Sequence, residues 1–206
     1  KLALKKFWRY LKKCDDDTYP PEVNWIRTPR NDGRRHINPE DLITDEDIEK
    51  MLKLTDNTRD KAFIITLAES GCRVGEILTL LVKSLIFDER GAYFLVDGKT
   101  GTRRVRVINA VPYLSDWLNI HPNKDNPLSP LWVSSGTMKE VSKKFESGEE
   151  KQGGEYNNKW SHNFSYPAAR KMLVVVAKKA GIEKPINPHN FRHSRATALG
   201  AAGLNQ

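Results

Sequence analysis

The stretch Ser70-Gly71-Cys72-Arg73-Val74-Gly75-Glu76-Ile77-Leu78 decides how this chain is read. Upstream of it, from Thr58, the residues Ala62, Phe63, Ile65 and Leu67 form a nearly continuous apolar segment that predicts a helix. Gly71 is suited to stop that helix, because glycine enters the left-handed C-cap conformation without a Cβ clash. Arg73 then falls at a helix-turn-helix junction, with Glu76, Ile77, Leu78 and Leu80 on a short helix beyond it. Glu76 follows Arg73 by about one helical turn, so its carboxylate can orient the guanidinium.

A second stretch, His189-Asn190-Phe191-Arg192-His193-Ser194, carries another arginine in a comparable setting. Asn187-Pro188 ahead of it predicts a helix start, with asparagine as N-cap and proline at the first helical position. His189 and Arg192 are one turn apart, so both project from the same side of that helix. Two fixed guanidinium forks brought together can hold one phosphodiester bidentately, and more strongly as charge develops on its non-bridging oxygens.

Between these stretches, Ala92 to Val96 reads as a strand and Arg104-Val105-Arg106-Val107 alternates like a half-buried one. Asp97-Gly98-Lys99-Thr100-Gly101 is the hairpin turn that joins them. The alternation places Arg104 and Arg106 on the exposed face, a basic ribbon suited to DNA. Thr44-Asp45-Glu46-Asp47 is a capping box opening a helix through Ile48, Met51 and Leu52. Helical character returns from Val111 to Asn119, and Pro130 to Val133 reads as a short strand. Tyr166 to Ala180 predicts a strong helix with Met172 to Val176 as its apolar core. Residues 134–163 are polar, charged and glycine-containing, which predicts a long mobile insertion without a derivable role.

At the beginning, Leu4, Phe7, Trp8 and Leu11 form a helical stripe with lysines and Arg9 opposite, predicting a helix over residues 2–13. Such a helix could bind a membrane or a partner, but closing off a domain whose earlier part is missing is the preferred reading. Pro20, Pro21, Pro29, Gly33 and Pro39 break any regular pattern over residues 14–40, so a linker is expected there. Its basic patch of Arg30, Arg34, Arg35 and His36 suits a nucleic-acid backbone and a solvated linker equally well. The expected organisation is therefore a helix plus linker over residues 1–40 and a main domain over 41–206.

The 206 residues suffice for one good-sized domain, or a domain plus a fragment. Hydrophobic content of 38% with 29% charged residues fits a globular protein. No apolar run approaches the roughly 18 residues that span a bilayer. A net charge of +8 points to a polyanionic partner. Two cysteines, Cys14 and Cys72, fit reduced thiols in a cytosolic protein, with Cys72 a small packed residue. The chain starts at Lys1 without a signal-peptide pattern and reads as an excised fragment.

With these motifs in order, the chain resembles the tyrosine recombinase family, the site-specific recombinases that include phage-type integrases. The family's first arginine motif is approximately G-x-R-x-x-E plus an aliphatic residue, as in Gly71 to Ile77; its second is H-x-L/F-R-H-S/T, as in His189 to Ser194. A lysine in a Gly-Lys turn before a basic strand completes the set, matched by Gly98-Lys99 before Arg103 to Val107. The resemblance implies a mainly α fold with a small antiparallel β-sheet. It covers roughly residues 41–206, with residues 1–13 resembling the last helix of the family's N-terminal DNA-clamping domain. It implies that Arg73 and Arg192 clamp the scissile phosphate and that Lys99 is the general acid toward the departing 5′-oxygen. It also implies that His189 assists proton transfer or orients the reacting groups. Glu76 and His193 would be supporting residues, His193 as a packed, hydrogen-bonded one helping to hold the arginine. The implied partners are double-stranded DNA and, for the intact protein, three further copies in a synaptic tetramer. No metal or other cofactor is expected, since the arginines supply the positive charge, and the setting is cytoplasmic and nucleoid-associated.

The family's nucleophilic tyrosine should follow Arg192 at a distance that runs past Gln206. All six tyrosines, Tyr10, Tyr19, Tyr93, Tyr113, Tyr156 and Tyr166, precede the second motif. The expectation is a fragment that binds DNA without forming the covalent intermediate. A non-catalytic DNA-binding protein that kept the clamp, or a type IB topoisomerase, are the alternatives. Asp97-Gly98-Lys99-Thr100 does not make a P-loop, because Tyr93 stands where G-x-x-x-x-G-K-S/T needs its first glycine. His189 and His193 have a zinc-compatible spacing, but Arg192 beside them opposes a cation. His36, His121 and His162 are expected at the surface.

Overall fold

A computed structural model describes residues 2–14, 18–27, 38–98, 101–134 and 164–203, and the chain divides into two compact units, Lys1–Ile37 and Asn38–Gln206. In the first unit, α1 (Leu2–Leu11) is the expected amphipathic helix. The segment read as a linker contains a short helix, α2 (Pro21–Asn24), started by proline at its first position. Val23 and Ile26 are buried there, and the Lys5 ammonium donates to the Ile26 carbonyl at 3.3 Å while lying 4.2 Å from the Tyr19 ring centroid.

The second unit opens with a 3-10 turn, Pro39–Asp41, and then α3 (Asp45–Lys53). Thr44 caps α3 as expected: its hydroxyl accepts from the Asp47 amide at 3.3 Å, and the Asp47 carboxylate accepts from the Thr44 amide at 3.0 Å. The central helix is α4 (Thr58–Ser70), capped by Asn57 at one end and by Gly71, with φ +58°, at the other. It packs against α3, the third strand of the sheet, and two later helices. The short α5 (Val74–Leu78) follows at once.

The sheet has three antiparallel strands in the order β1 (Leu85–Asp88), β2 (Gly91–Gly98) and β3 (Gly101–Val107). Alternation along β2 buries Ala92, Phe94 and Val96 against the core and leaves Leu95 outside. Ala92 pairs with Val107, Leu95 with Arg104 and Val96 with Arg103. β1 carried no clear period in the sequence, because as an edge strand it buries Leu85 alone and exposes Ile86, Phe87 and Asp88. The strand expected at Pro130 to Val133 is instead an isolated bridge between Leu81 and Pro130.

Among the described residues, three further helices belong to the unit: α6 (Val111–Asn119), α7 (Tyr166–Lys179) and α8 (Pro188–Ala201). On α7 the expected continuous core is corrected to a stripe. Leu173, Val176 and Ala177 are buried, whereas Val174 and Val175 face outward, as a helical period of 3.6 residues requires. Aromatic side chains close the core. Phe63 meets Trp132 and Phe164 edge-on with centroids 5.1 and 5.2 Å apart, and the Trp132 indole donates to the Ile77 carbonyl at 2.9 Å. His121 is likewise corrected from surface to interior. It meets Trp117 edge-on, with Nε2 3.1 Å from the Pro130 carbonyl and Nδ1 accepting from the Asn123 amide at 3.1 Å. His36, His162 and the insertion expected at 134–163, apart from Ser134, lie outside the described residues.

Candidate active site

Arg73 is the N-cap residue of α5, in extended conformation, and Glu76 occupies the third helical position. The Glu76 carboxylate reaches back to both ends of Arg73. Oε2 accepts from its backbone amide at 3.0 Å, and Oε1 from its Nη1 at 3.0 Å. The expectation that Glu76 touches Arg73 therefore holds, and the helix terminus explains why: the carboxylate satisfies an amide that the helix leaves unpaired. Glu76 is only 6% exposed, while the Arg73 side chain is 44% exposed and presents its outer face to solvent.

The same carboxylate binds Arg103 of β3, Nη2 to Oε2 at 2.7 Å and Nη1 to Oε1 at 3.3 Å. Burial pushes the Glu76 carboxyl up, but Arg103 and the Arg73 amide and guanidinium more than reverse it, to about 2. Arg103 Nη2 also lies 3.6 Å from the sulfur of Cys72, a fully packed residue whose thiol burial pushes upward. Arg103 was missed in the sequence. Counting the β alternation back from the buried Val107 through Val105 sets Arg103 on the inward face, and an inward arginine calls for a carboxylate.

The second motif meets the first through a backbone carbonyl. Arg192 Nη1 donates to the oxygen of Gly71 at 2.7 Å. On the same helix the stem of Arg195 packs so closely on Gly71 that an added Cβ would lie 3.0 Å from Arg195 Cγ. Midway along α8, Ser194 ties the helix to the residue before the α3 cap, its Oγ accepting from the Ile43 amide at 2.7 Å. Asn187 caps α8 as expected, accepting from the amides of His189 at 2.9 Å and Asn190 at 3.2 Å.

His189 is exposed at the first turn of α8. His193 is exposed too, which corrects its reading as a packed residue holding the arginine. Asn190, Phe191 and Ser194 face the core, so at about 100° per residue His193 points well away from that face, and the Gly71 carbonyl does the holding. Lys99 lies outside the described residues; its flanks Gly98 and Gly101 are the last register pair of the hairpin. Arg104 is exposed, with its guanidinium 4.0 Å from the centroid of the Tyr93 ring. Arg106 shares that face but is held bidentately by Asp88, at 2.6 and 2.7 Å, and the pairing lowers the Asp88 carboxyl to about 2. Among the described residues, no group of three or more His, Cys, Asp or Glu side chains comes together that could hold a metal ion. No helix among them is long and apolar enough to cross a membrane.

This arrangement of helices around a small antiparallel sheet is the fold of tyrosine recombinase catalytic domains. A crystal structure of XerA recombinase superposes with a TM-score of 0.60 at 21% identity, over 98% of this chain and 60% of that one. The Tn1549 transposon integrase, solved in complex with circular intermediate DNA, gives a TM-score of 0.60 at 17% identity, over 99% and 66%.

The chain belongs to the phage integrase family, whose profile matches residues 41–206. The tyrosine recombinase XerD of Listeria innocua is 26% identical over 202 residues, 96% of this chain and 60% of its own length. The tyrosine recombinase XerA of Pyrococcus furiosus is 25% identical over 165 residues, 79% of this chain and 49% of its own length. The chain thus spans between about half and three fifths of the length of these relatives.

Proposed function

We propose that this chain forms the phosphate-clamping part of a site-specific DNA recombinase that cleaves and rejoins strands through a 3′-phosphotyrosyl intermediate. The observation that carries the reading is the bond from Arg192 to the Gly71 carbonyl, which brings the second arginine motif onto the first. Arg73 and Arg192 hold the non-bridging oxygens of the scissile phosphate. Their donors match the charge that grows there in the transition state better than the ground state.

In this reading a tyrosine oxygen attacks phosphorus, the bond to the 5′-oxygen breaks, and Lys99 gives that oxygen its proton. His189, exposed one turn from Arg192, exchanges a proton or orients the attacking group. Glu76 keeps Arg73 in place, His193 lies at the margin of the site, and Arg104 and Arg106 face the DNA backbone. None of the six tyrosines in residues 1–206 is assigned as the nucleophile, since each precedes the second motif. Duplex DNA is the partner, four copies act together in synapsis, and residues 1–40 contribute the last helix of a DNA-clamping domain plus its linker. The work is done in the cytoplasm, at the nucleoid.

The test uses the product of the complete reading frame on nicked duplex DNA that traps a denaturant-resistant covalent adduct. Arg73→Ala or Arg192→Ala removes the adduct, a loss on the order of 10²-fold or more in rate, while most of the DNA affinity remains. An adduct formed at the parental rate by both variants would sink the clamp assignment.

A further inference from the structure

The most deeply set charge of the site, Glu76, is bound by an arginine that belongs to neither motif. Its two oxygens take four donors: the Arg73 amide and Nη1, each at 3.0 Å, and Arg103 Nη2 and Nη1 at 2.7 and 3.3 Å. Arg103 arrives from β3, opposite Val96 in register. The end of β2 closes the third side, because a Cβ on Gly98 would collide with Glu76 Oε1.

Two physical consequences follow. A carboxylate gripped by a rigid fork from a strand has its plane fixed, and the Arg73 Nη1 that binds it is fixed in turn. Charge also matters. Glu76 paired with Arg73 alone would cancel the positive field that an incoming phosphate needs. With Arg103 the trio carries one net positive charge, so the orienting carboxylate costs the clamp little of its attraction.

We propose that Arg103 is a positioning residue that acts through the shared carboxylate of Glu76 to hold the Arg73 guanidinium in its phosphate-receiving orientation, with Gly98 as the wall behind it. The proposal rests on the reading of Arg73 as a phosphate ligand. The groups facing Glu76 are Arg73 at the N-cap of α5, Arg103 on β3 and, beside Arg103, the thiol of Cys72. Without Arg103, only the Arg73 amide and guanidinium remain to oppose the upward push of burial on the Glu76 carboxyl.

Arg103→Ala, Arg103→Lys, Gly98→Ala and Arg73→Ala are compared in the product of the complete reading frame. Single-turnover adduct formation and duplex affinity are followed between about pH 5 and 8. Arg103→Ala slows adduct formation by about 10²-fold, the usual consequence of a group misplaced by about 1 Å. Its dissociation constant for duplex DNA stays within about threefold, and its rate falls off toward acid at a higher pH than the parent's, because Glu76 has lost its strongest partner. Gly98→Ala slows the reaction without replacing an arginine, its Cβ pressing on the Glu76 carboxylate and standing 3.2 Å from Arg103 Nη1, and Arg103→Lys recovers part of the loss. In the 206-residue chain, the Arg73 Nε–Hε NMR cross-peak moves in Arg103→Lys. A parental rate and pH profile in Arg103→Ala, with Arg73→Ala inactive, overturns the positioning role while leaving the clamp intact. Parental rates in both overturn the clamp reading, and this inference with it. Where Arg103→Ala fails to melt cooperatively, Arg103→Lys decides: a parental rate with an unmoved Arg73 cross-peak overturns the proposal.

Discussion

Arg192 donates through Nη1 to the carbonyl oxygen of Gly71 at 2.7 Å, across 121 positions of sequence. That oxygen belongs to the left-handed residue that ends α4, where helix carbonyls lack intrahelical partners. The terminus of one helix thus becomes the seat of a side chain from another.

Gly71→Ala is expected to weaken the fold by about 1 to 2 kcal/mol, because a Cβ in the left-handed region meets its own backbone. Arg195 must also give way, since its Cγ lies 3.0 Å from where that Cβ would stand. In a domain of this size the melting temperature falls by roughly 2 to 8 °C. Gly75→Ala is the control. Its Cβ meets nothing within 4 Å on helix α5, so that variant melts at or above the parental temperature. Equal effects at both glycines would mean that the cap geometry carries no special weight.

Arg104 and Arg106 looked alike in the alternating strand, yet their surroundings separate them. Arg104 lies over Tyr93 in solvent, whereas Arg106 is forked onto Asp88. Arg104→Ala should lower the slope of log affinity against log salt by about 1, the signature of one lost phosphate contact. Arg106→Ala should change it less. Asp88→Asn should release Arg106 and steepen the slope. Equal slopes for the two arginine variants would show that Asp88 does not compete with DNA.

Much of this was legible from local signals. The Thr44 and Asn187 caps, the Gly71 stop and the hairpin about Asp97 to Gly101 each depend on a few neighbouring residues. The two arginine motifs were legible because residue types at fixed spacing carry the chemistry. What escaped depends on distant partners. His121 looks like a surface histidine until the Pro130 carbonyl and the Asn123 amide flank its ring. Arg103 looks like one of several hairpin cations until Glu76 meets it from another element. Edge strand β1 lacked a period because only Leu85 faces the core.

Arg59 is an interior arginine apart from the proposed clamp. Its Nη1 donates to the Val133 carbonyl at 2.7 Å, its Nε donates to Asp60 at 2.8 Å, and its guanidinium lies 4.1 Å from the Phe164 ring centroid. Arg59→Met keeps much of the packing but leaves the Asp60 carboxylate and a buried carbonyl without their donor. Breaking such a pair from one side costs about 3 to 5 kcal/mol. The urea midpoint reads it directly, and a loss under about 1 kcal/mol would place Arg59 among dispensable contacts.

Acid should weaken the fold in two separate windows. Partners on both ring nitrogens fix His121 as the neutral tautomer with its proton on Nε2, facing the Pro130 carbonyl, and Nδ1 accepting from the Asn123 amide. Burial holds its pKa below the usual 6.5, so the unfolded chain takes up the proton first. Stability from this group is full above pH 6.5 and declines below it. Glu76 acts lower. Its folded pKa of about 2 lies below the ordinary 4.5, so its contribution is full above pH 4.5 and is lost as pH falls toward 2. The shift corresponds to about 3 kcal/mol as an upper figure. Asp88, also held at about 2, titrates in the same low window but in solvent, so Glu76→Gln is needed to isolate the buried group. Urea midpoints between about pH 2.5 and 8 should show His121→Gln flattening the upper slope and Glu76→Gln flattening most of the lower one. An upper slope that survives His121→Gln would mean that another group titrates there, and a lower one that survives Glu76→Gln would mean the shared carboxylate is not what binds the hairpin to α5.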